Sequence, residues 1–274
     1  MGLKIVQVDA FTNQPFSGNP AAVCVTEAPL AAERMQAIAA EMNLSETAFL
    51  HRLGDTEEEG FSIRWFSPEI EVALCGHATL ASAHTLWSEG HLSQGAAAKF
   101  KSQSGWLGAQ QKEGGWIELD FPTQPVTPTN IMPQLIKSLG CQGDIRTVSK
   151  NSVNYLVEVQ SEQSVRTMSP DFEALKQLPI QGVIVTAAAK DGMSYDFVSR
   201  YFCPKIGINE DPVTGSAHTS LAPYWQAKLS KPVMLAQQIS KRGGVIKVDC
   251  TTADRVLISG QAITILKGEL IVAH

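Results

Sequence analysis

From Glu71 to His84 the chain reads EVALCGHATLASAH, which sets Cys75, Gly76 and His77 at the mouth of a helix. A thiol at a helix N-terminus is a candidate acid, base or nucleophile, because the positive end of the helix stabilises its thiolate. A second stretch, GINEDPVTGSAHTSLAPYW from Gly207 to Trp225, has nearly the same cadence. Phe66, Pro68, Ile70 and Val72 recur as Phe202, Pro204, Ile206 and Ile208, and at that spacing Cys75 meets Asp211. With a short gap, Gly76 and His77 then meet Gly215 and Ser216, each pair opening a helix rich in Ala, Ser, Thr and His. Glycine at such a position lets backbone N–H groups approach a ligand, and the helix dipole favours an anion there. Two such helices aimed at one cleft would grip a carboxylate from both sides. That suits proton transfer at the carbon beside the carboxylate, since the developing charge falls on oxygens held by preorganised donors.

The reaction needs an acid/base group. Cys75, His77 and Asp211 are candidates inside the repeat, and Glu46 stands out beyond it. In NLSETAFLHR, Glu46 alternates with Ala48 and Leu50 on one strand face, which directs it inward while Thr47 and Phe49 point the other way. Burial would raise its pKa toward the range where a carboxyl group both gives and takes a proton at neutral pH. Each residue taken alone also fits a structural role. Glu46 suits a solvated or salt-bridged strand position, Cys75 a small buried hydrophobe, and His77 a cap. Asp211 followed by Pro212 reads equally as an N-cap with proline in the first helical position. SGNP, Ser17 to Pro20, would pass anywhere as a turn.

The elements that must position these groups are legible in outline. KIVQVDAF alternates as a strand, FTNQPFSGNP is a turn-rich loop, and AAVCV is a second strand. AAERMQAIAAEMN carries Met35, Ile38, Ala39 and Met42 at helical spacing. ETAFLHR and FSIRWFS read as strands, and GHATLASAHTLWSEG as a helix closed by Gly90. The Pro-rich run from Phe121 to Pro133 marks a connector. Beyond it, strands (VNYLVEV, GVIVTAA, YDFVSRYF) again mix with helices (PDFEALKQL, GSAHTSLAPYWQAKL), and three strand-like runs close the chain. One repeat at about half the chain length points to two related domains facing each other rather than a solenoid; a chance likeness of two strand-turn-helix units is the alternative.

Composition narrows the function classes. The chain has 274 residues, 44% hydrophobic and 18% charged, enough for a sizeable core. A net charge of -5 and a pI near 5.7 leave no basic face for nucleic acid. No apolar run reaches the ~18 residues of a membrane helix, and MGLKIVQVDAF lacks the features of a secretory signal, so a cytoplasmic location is expected. Five cysteines, odd in number and scattered, argue against a disulfide framework and against a zinc cluster such as CxxC.

Four stretches in order, VDAFTNQPFSGNPAAV, NLSETAFL, FSPEIEVALCGHATLASAH and NEDPVTGSAHTSLAPYW, resemble the phenazine-biosynthesis PhzF-like proteins, relatives of diaminopimelate epimerase. The resemblance runs from about residue 5 to the last strands. It implies an α+β fold of the diaminopimelate epimerase type: two similar halves, each a curved sheet wrapped around a central helix, with the active site in the cleft between them. The expected halves are 1–118, joined by a last strand at 262–274, and 119–261, in a possible homodimer. The resemblance makes Glu46 the proton shuttle, with His77, Asp211 and Ser216 supporting substrate binding and proton movement, and Asn19, Gly76 and Gly215 lining the site. It implies a cofactor-free, metal-free isomerisation of trans-2,3-dihydro-3-hydroxyanthranilic acid, in which one ring carbon loses a proton and another gains one.

One departure matters. Racemases of the diaminopimelate epimerase type use two opposed cysteines, one in each half, whereas this chain sets Asp211 against Cys75 in the alignment above. A two-thiol racemase is excluded. Three readings follow: a PhzF-like isomerase of a small carboxylate with Glu46 as acid/base, a Cys75/Asp211 epimerase or racemase of an amino or hydroxy acid, and a noncatalytic carboxylate-binding protein.

Overall fold

The structure is a computed structural model and describes residues 2–271. The chain forms two compact units: the first takes the chain up to Phe121 and again from Leu257, and the second is Pro122–Val256. Among the described residues no helix is long and apolar enough to cross a membrane.

In the first unit the strands are β1 (Leu3–Ala10), β2 (Asn19–Thr26), β3 (Glu46–Arg52), β4 (Phe61–Phe66), β5 (Glu71–Val72), β6 (Ala98–Ser102), β7 (Gly105–Lys112) and β8 (Trp116–Pro122). The second contains β9 (Thr127–Pro128), β10 (Ile145–Lys150), β11 (Asn154–Val159), β12 (Gly182–Ala188), β13 (Phe197–Cys203), β14 (Ile208–Asp211), β15 (Val233–Gln238) and β16 (Gly244–Asp249), and β17 (Arg255–Gly260) leads out of it. The last strand, β18 (Ala262–Leu270), pairs antiparallel with β1; residues 272–274 of the expected closing strand lie outside the described residues.

The pairing pattern is the same in both units. β1–β2 is antiparallel, β2–β3 parallel, β3–β4 and β4–β5 antiparallel, β4–β6 parallel and β6–β7 antiparallel. The series β10–β11, β11–β12, β12–β13, β13–β14, β13–β15 and β15–β16 repeats those senses in order. Even the outer partners agree, since β9 pairs antiparallel with β10 as β18 does with β1. Six consecutive matches of pairing sense exclude a chance likeness of two strand-turn-helix units and leave duplication.

Side chains repeat with the backbone. Arg64 donates to both carboxylate oxygens of Glu71, at 2.7 and 2.8 Å, and its guanidinium lies 5.2 Å from the Phe66 ring centre. Arg200 does the same to Glu210, at 2.6 and 2.9 Å, with its guanidinium 4.8 Å from Phe202. Planar two-point pairing over an aromatic face is a geometry that arginine makes and lysine cannot.

Helices are α1 (Ala32–Met42), α2 (Gly76–Ser88), α3 (Pro133–Leu139), α4 (Glu162–Thr167), α5 (Phe172–Lys176) and α6 (Gly215–Leu229). The α2 helix is buried from His77 to Ala83 and from Thr85 to Trp87, and packs against β1, β2, β3 and β18. A helix surrounded in this way carries no polar stripe, and its small residues let strands come close. Its hydroxyls bond carbonyls one turn back, Thr79 to Cys75 and Ser82 to Ala78, so burying them leaves no unsatisfied donor. In the second unit α6 plays the same part, with Ala217, Leu221, Ala222 and Trp225 buried. The outer face of the first sheet holds a further core of Ile5, Ala22, Cys24, Met35, Ile38, Ala39, Phe49 and Phe66, which is why the helical spacing of Met35, Ile38 and Ala39 was legible.

Candidate active site

Cys75 is the N-cap of α2, in extended conformation, and Gly76 is the first helical residue. His77 follows in the first turn, 5% exposed. Three residues meet its ring. Asn19, at the start of β2, donates from Nδ2 to His77 Nδ1 at 3.2 Å. Cys75 Sγ lies 3.5 Å from the same nitrogen, and Glu46 Oε2, at the start of β3, lies 3.2 Å from Nε2. With Nδ1 accepting, the ring proton sits on Nε2 and faces the carboxylate. The pair is close without reaching hydrogen-bond alignment, as catalytic contacts often are before substrate binds. Burial holds the imidazole neutral, its pKa pushed down to about 3. The nearby carboxylate favours the charged ring, but desolvation of a ring this deeply buried wins.

The backbone explains how residues so far apart in sequence converge. β2 and β3 run parallel with Ala21 opposite Glu46, so both strand starts lie at the same end of the unit as the α2 N-terminus. SGNP is more than a turn. Gly18 has φ +66°, and a Cβ there would lie 2.2 Å from the Ala10 carbonyl oxygen; only glycine lets the chain pass that close and enter β2 at Asn19. The strand begins at Asn19, two residues before the AAVCV run read from the sequence, because Asn19 and Pro20 pair with Ala10 and Asp9. Glu46 is largely inward, its side chain 13% exposed. Thr47, Ala48, Phe49 and Leu50 are all buried, so β3 has two buried faces where simple alternation predicts one.

The second unit holds Asp211, Gly215 and Ser216. Asp211 ends β14 and is not a helix cap: α6 starts at Gly215 with Thr214 as its N-cap. This corrects the alignment of the repeat. Phe66 pairs with Glu71, and Phe202 with Glu210, so Val72 corresponds to Asp211, and the two N-caps, Cys75 and Thr214, correspond to each other. The counterpart of the thiol is therefore a hydroxyl, and the extra residues lie between β13 and β14, where a constant spacing slips. Thr214 donates from Oγ1 to Asp211 Oδ2 at 2.5 Å. Gln238, fully buried, donates to the Asp211 carbonyl at 2.8 Å and to Thr214 Oγ1 at 3.1 Å, and accepts the Thr214 N–H at 2.8 Å. Ser216 is exposed in the first turn of α6.

Thr214 and Gln238 escaped the sequence reading. Thr214 carried a signal, since threonine immediately before a helical glycine is a common N-cap type; Gln238, at the end of a strand, carried none. The same register identifies the counterpart of Glu46. Thr47 pairs with Phe66 and Val183 with Phe202, so the glutamate's place is taken by Gly182. A Cβ on Gly182 would lie 2.3 Å from the Tyr201 hydroxyl, which donates to Asn154 Oδ1 at 2.9 Å. At the matching positions the second unit thus has a hydroxyl for the thiol and a glycine for the carboxylate, with the Tyr201 phenol, whose pKa burial raises, filling the space beside Gly182.

The chain matches the profile of the phenazine biosynthesis-like (PhzC-PhzF) proteins over residues 8–268. It is 51% identical to an uncharacterized isomerase of Halalkalibacterium halodurans over 99% of both chains, and 39% identical to a phenazine biosynthesis-like domain-containing protein of Homo sapiens over 98% of this chain and 99% of that one. Among solved structures it is similar to a PhzF-family protein of Enterococcus faecalis, with TM-score 0.92 and 42% identity over 99% of this chain and all of that one. A hydroxyproline epimerase of Agrobacterium vitis shares the fold at TM-score 0.61 and 14% identity, over 98% of this chain and 92% of that one. The α+β architecture is the diaminopimelate epimerase-like fold. With a duplicated frame whose first half brings a carboxylate, an imidazole and a thiol together, and with isomerases among its relatives, the chain belongs to the phenazine biosynthesis-like family and is an isomerase.

Proposed function

We propose that the protein isomerises a small carboxylate without a cofactor, by moving a proton between two carbons, with Glu46 as the shuttle. The observation that carries this reading is the Glu46–His77 pair, 3.2 Å apart on the neutral imidazole's proton-bearing side. His77 stays neutral at working pH, so it does not compete as a base, and a small closure of the pair lets its Nε2–H orient the carboxylate when substrate binds. Glu46 takes a proton from one carbon as that C–H electron pair moves into the substrate's π system. The carboxylic acid so formed then returns the proton to a second carbon of the extended anion, and atoms and charge balance with nothing borrowed. Gly182, standing where a second glutamate would be, fits a reaction run by one carboxylate. Gly76 and Asn19 are assigned to substrate binding, and a dihydro-hydroxyanthranilate-like acid is the substrate class. A homodimer belongs to this reading and is checked by light scattering.

A second reading has its own observation. Cys75 Sγ lies 3.5 Å from His77 Nδ1, which suits a thiol acid/base in an epimerase. One experiment separates the two. The purified protein is offered dihydro-hydroxyanthranilate and a panel of amino and hydroxy acids in D₂O, and deuterium entry is followed by NMR. Loss of exchange by roughly 10²–10⁴-fold in Glu46→Gln, the scale of general acid/base catalysis, supports the isomerase. Undiminished exchange in that variant, with loss in Cys75→Ala, transfers the role to the thiol. A ligand that raises the melting temperature yet never exchanges points to a binding protein.

A further inference from the structure

We propose that Glu46, Cys75 and His77 also form a binding site for a thiophilic divalent cation, zinc foremost. The inference goes beyond the isomerase reading and does not need it. The three residues each offer one ligand atom, and these atoms all lie within 4.8 Å of one another. A tetrahedral zinc ion, with bonds of about 2.3 Å to sulfur and about 2.1 Å to nitrogen or oxygen, sets its ligand atoms about 3.5 Å apart. The trio must therefore close by about 1 Å, within reach of side-chain torsions alone. Cysteine, histidine and glutamate are a set suited to zinc, with water completing the four.

Charge favours the same ion. A thiolate and a carboxylate cancel the two positive charges, so the buried complex is neutral, and buried charge is tolerated only when compensated. A neutral imidazole ligates through the ring nitrogen that carries no proton, here Nδ1, 3.5 Å from Cys75 Sγ, and the Asn19 amide that donates to it must turn aside. Magnesium and calcium prefer oxygen ligands and coordination numbers that one carboxylate does not supply. The sequence held no hint of the site because its ligands come from a strand start, a helix cap and a first helical turn rather than from a short CxxC or HxxxH spacing.

Cobalt(II) and zinc are titrated into the full-length, metal-free protein. The expected result is one-to-one cobalt binding with a sulfur-to-cobalt charge-transfer band in the near ultraviolet, bleached by zinc and unaffected by magnesium. The band is expected to vanish in Cys75→Ser, and zinc affinity to fall at least tenfold in Glu46→Gln, with both variants keeping their far-ultraviolet circular dichroism. The four remaining cysteines, all buried, are the internal control: a band surviving in Cys75→Ser overturns the proposal. So does the absence of one-to-one zinc binding by calorimetry at 100-fold excess, or unchanged zinc affinity in Glu46→Gln. No turnover is needed for any of these readouts, so a failed isomerase assay and a failed metal site are told apart.

Discussion

His218 in α6 is 0% exposed, and its Nδ1–H donates to the Thr214 carbonyl at 2.8 Å, while Nε2 has no hydrogen-bond partner among the described residues. Phe197 stacks on the ring at 6.0 Å. A proton added to Nε2 would place an unsolvated charge in an apolar pocket, so burial pushes the pKa from 6.5 to about 4. The sign follows directly. The unfolded chain, with an ordinary histidine, binds more protons below pH 6.5 than the native one, so the stability His218 contributes is present above that pH and is lost as pH falls toward 4. The slope is about 1.4 kcal/mol per pH unit while only the unfolded form is protonated, which integrates to roughly 3 kcal/mol between pH 6.5 and 4. Against a total stability of about 5–15 kcal/mol that is a large share, and at about 2–4 °C per kcal/mol it lowers Tm by roughly 10 °C. The assay is Tm against pH by circular dichroism for the wild type and His218→Gln, in which the amide can still donate to the Thr214 carbonyl. The variant's absolute Tm is immaterial; its fall from pH 6.5 to 4 must be shallower by about that amount. Parallel curves for the two proteins would refute the account of a buried neutral imidazole.

His77, pushed down to about 3, acts in the same direction, and His77→Gln is expected to flatten the acid limb by a similar slope of about 1.4 kcal/mol per pH unit, read in the same melts. Gly182→Ala puts a Cβ 2.3 Å from the Tyr201 hydroxyl and is expected to cost about 1–3 kcal/mol through overpacking, measured as a lower urea midpoint with unchanged slope; an unchanged midpoint would show that the phenol yields freely. Thr214→Val removes the hydroxyl that donates to Asp211 and accepts from Gln238. Each of the two buried groups loses one hydrogen bond, which is expected to cost about 1–3 kcal/mol, and urea unfolding indistinguishable from wild type would remove Thr214 from the Asp211 network.

Much was present in the sequence, and physics shows why. Helices such as Ala32–Met42 and Gly215–Leu229 announce themselves because one turn of chain decides them, through 3.6-residue spacing or a run of small residues opened by glycine. The ordered motifs also brought Glu46, His77 and Asn19 forward, and their convergence at one end of the first unit follows from two parallel strand starts and a helix start. What the sequence misread was register. Equal spacing matched Cys75 with Asp211, but hydrogen-bonded partners match Phe66–Glu71 with Phe202–Glu210, and so Cys75 with Thr214. Spacing along a chain cannot detect residues inserted between two strands, whereas a ladder can, because each pair is set by its own hydrogen bonds. The tertiary structure alone decided three further matters: that the second unit has Gly182 and a phenol where the first has its glutamate, that Gln238 braces Asp211 from a distant strand, and that both faces of β3 are buried. Each depends on contacts between residues far apart in sequence. Composition and periodicity carry no record of such contacts, and packing creates them only when the chain folds.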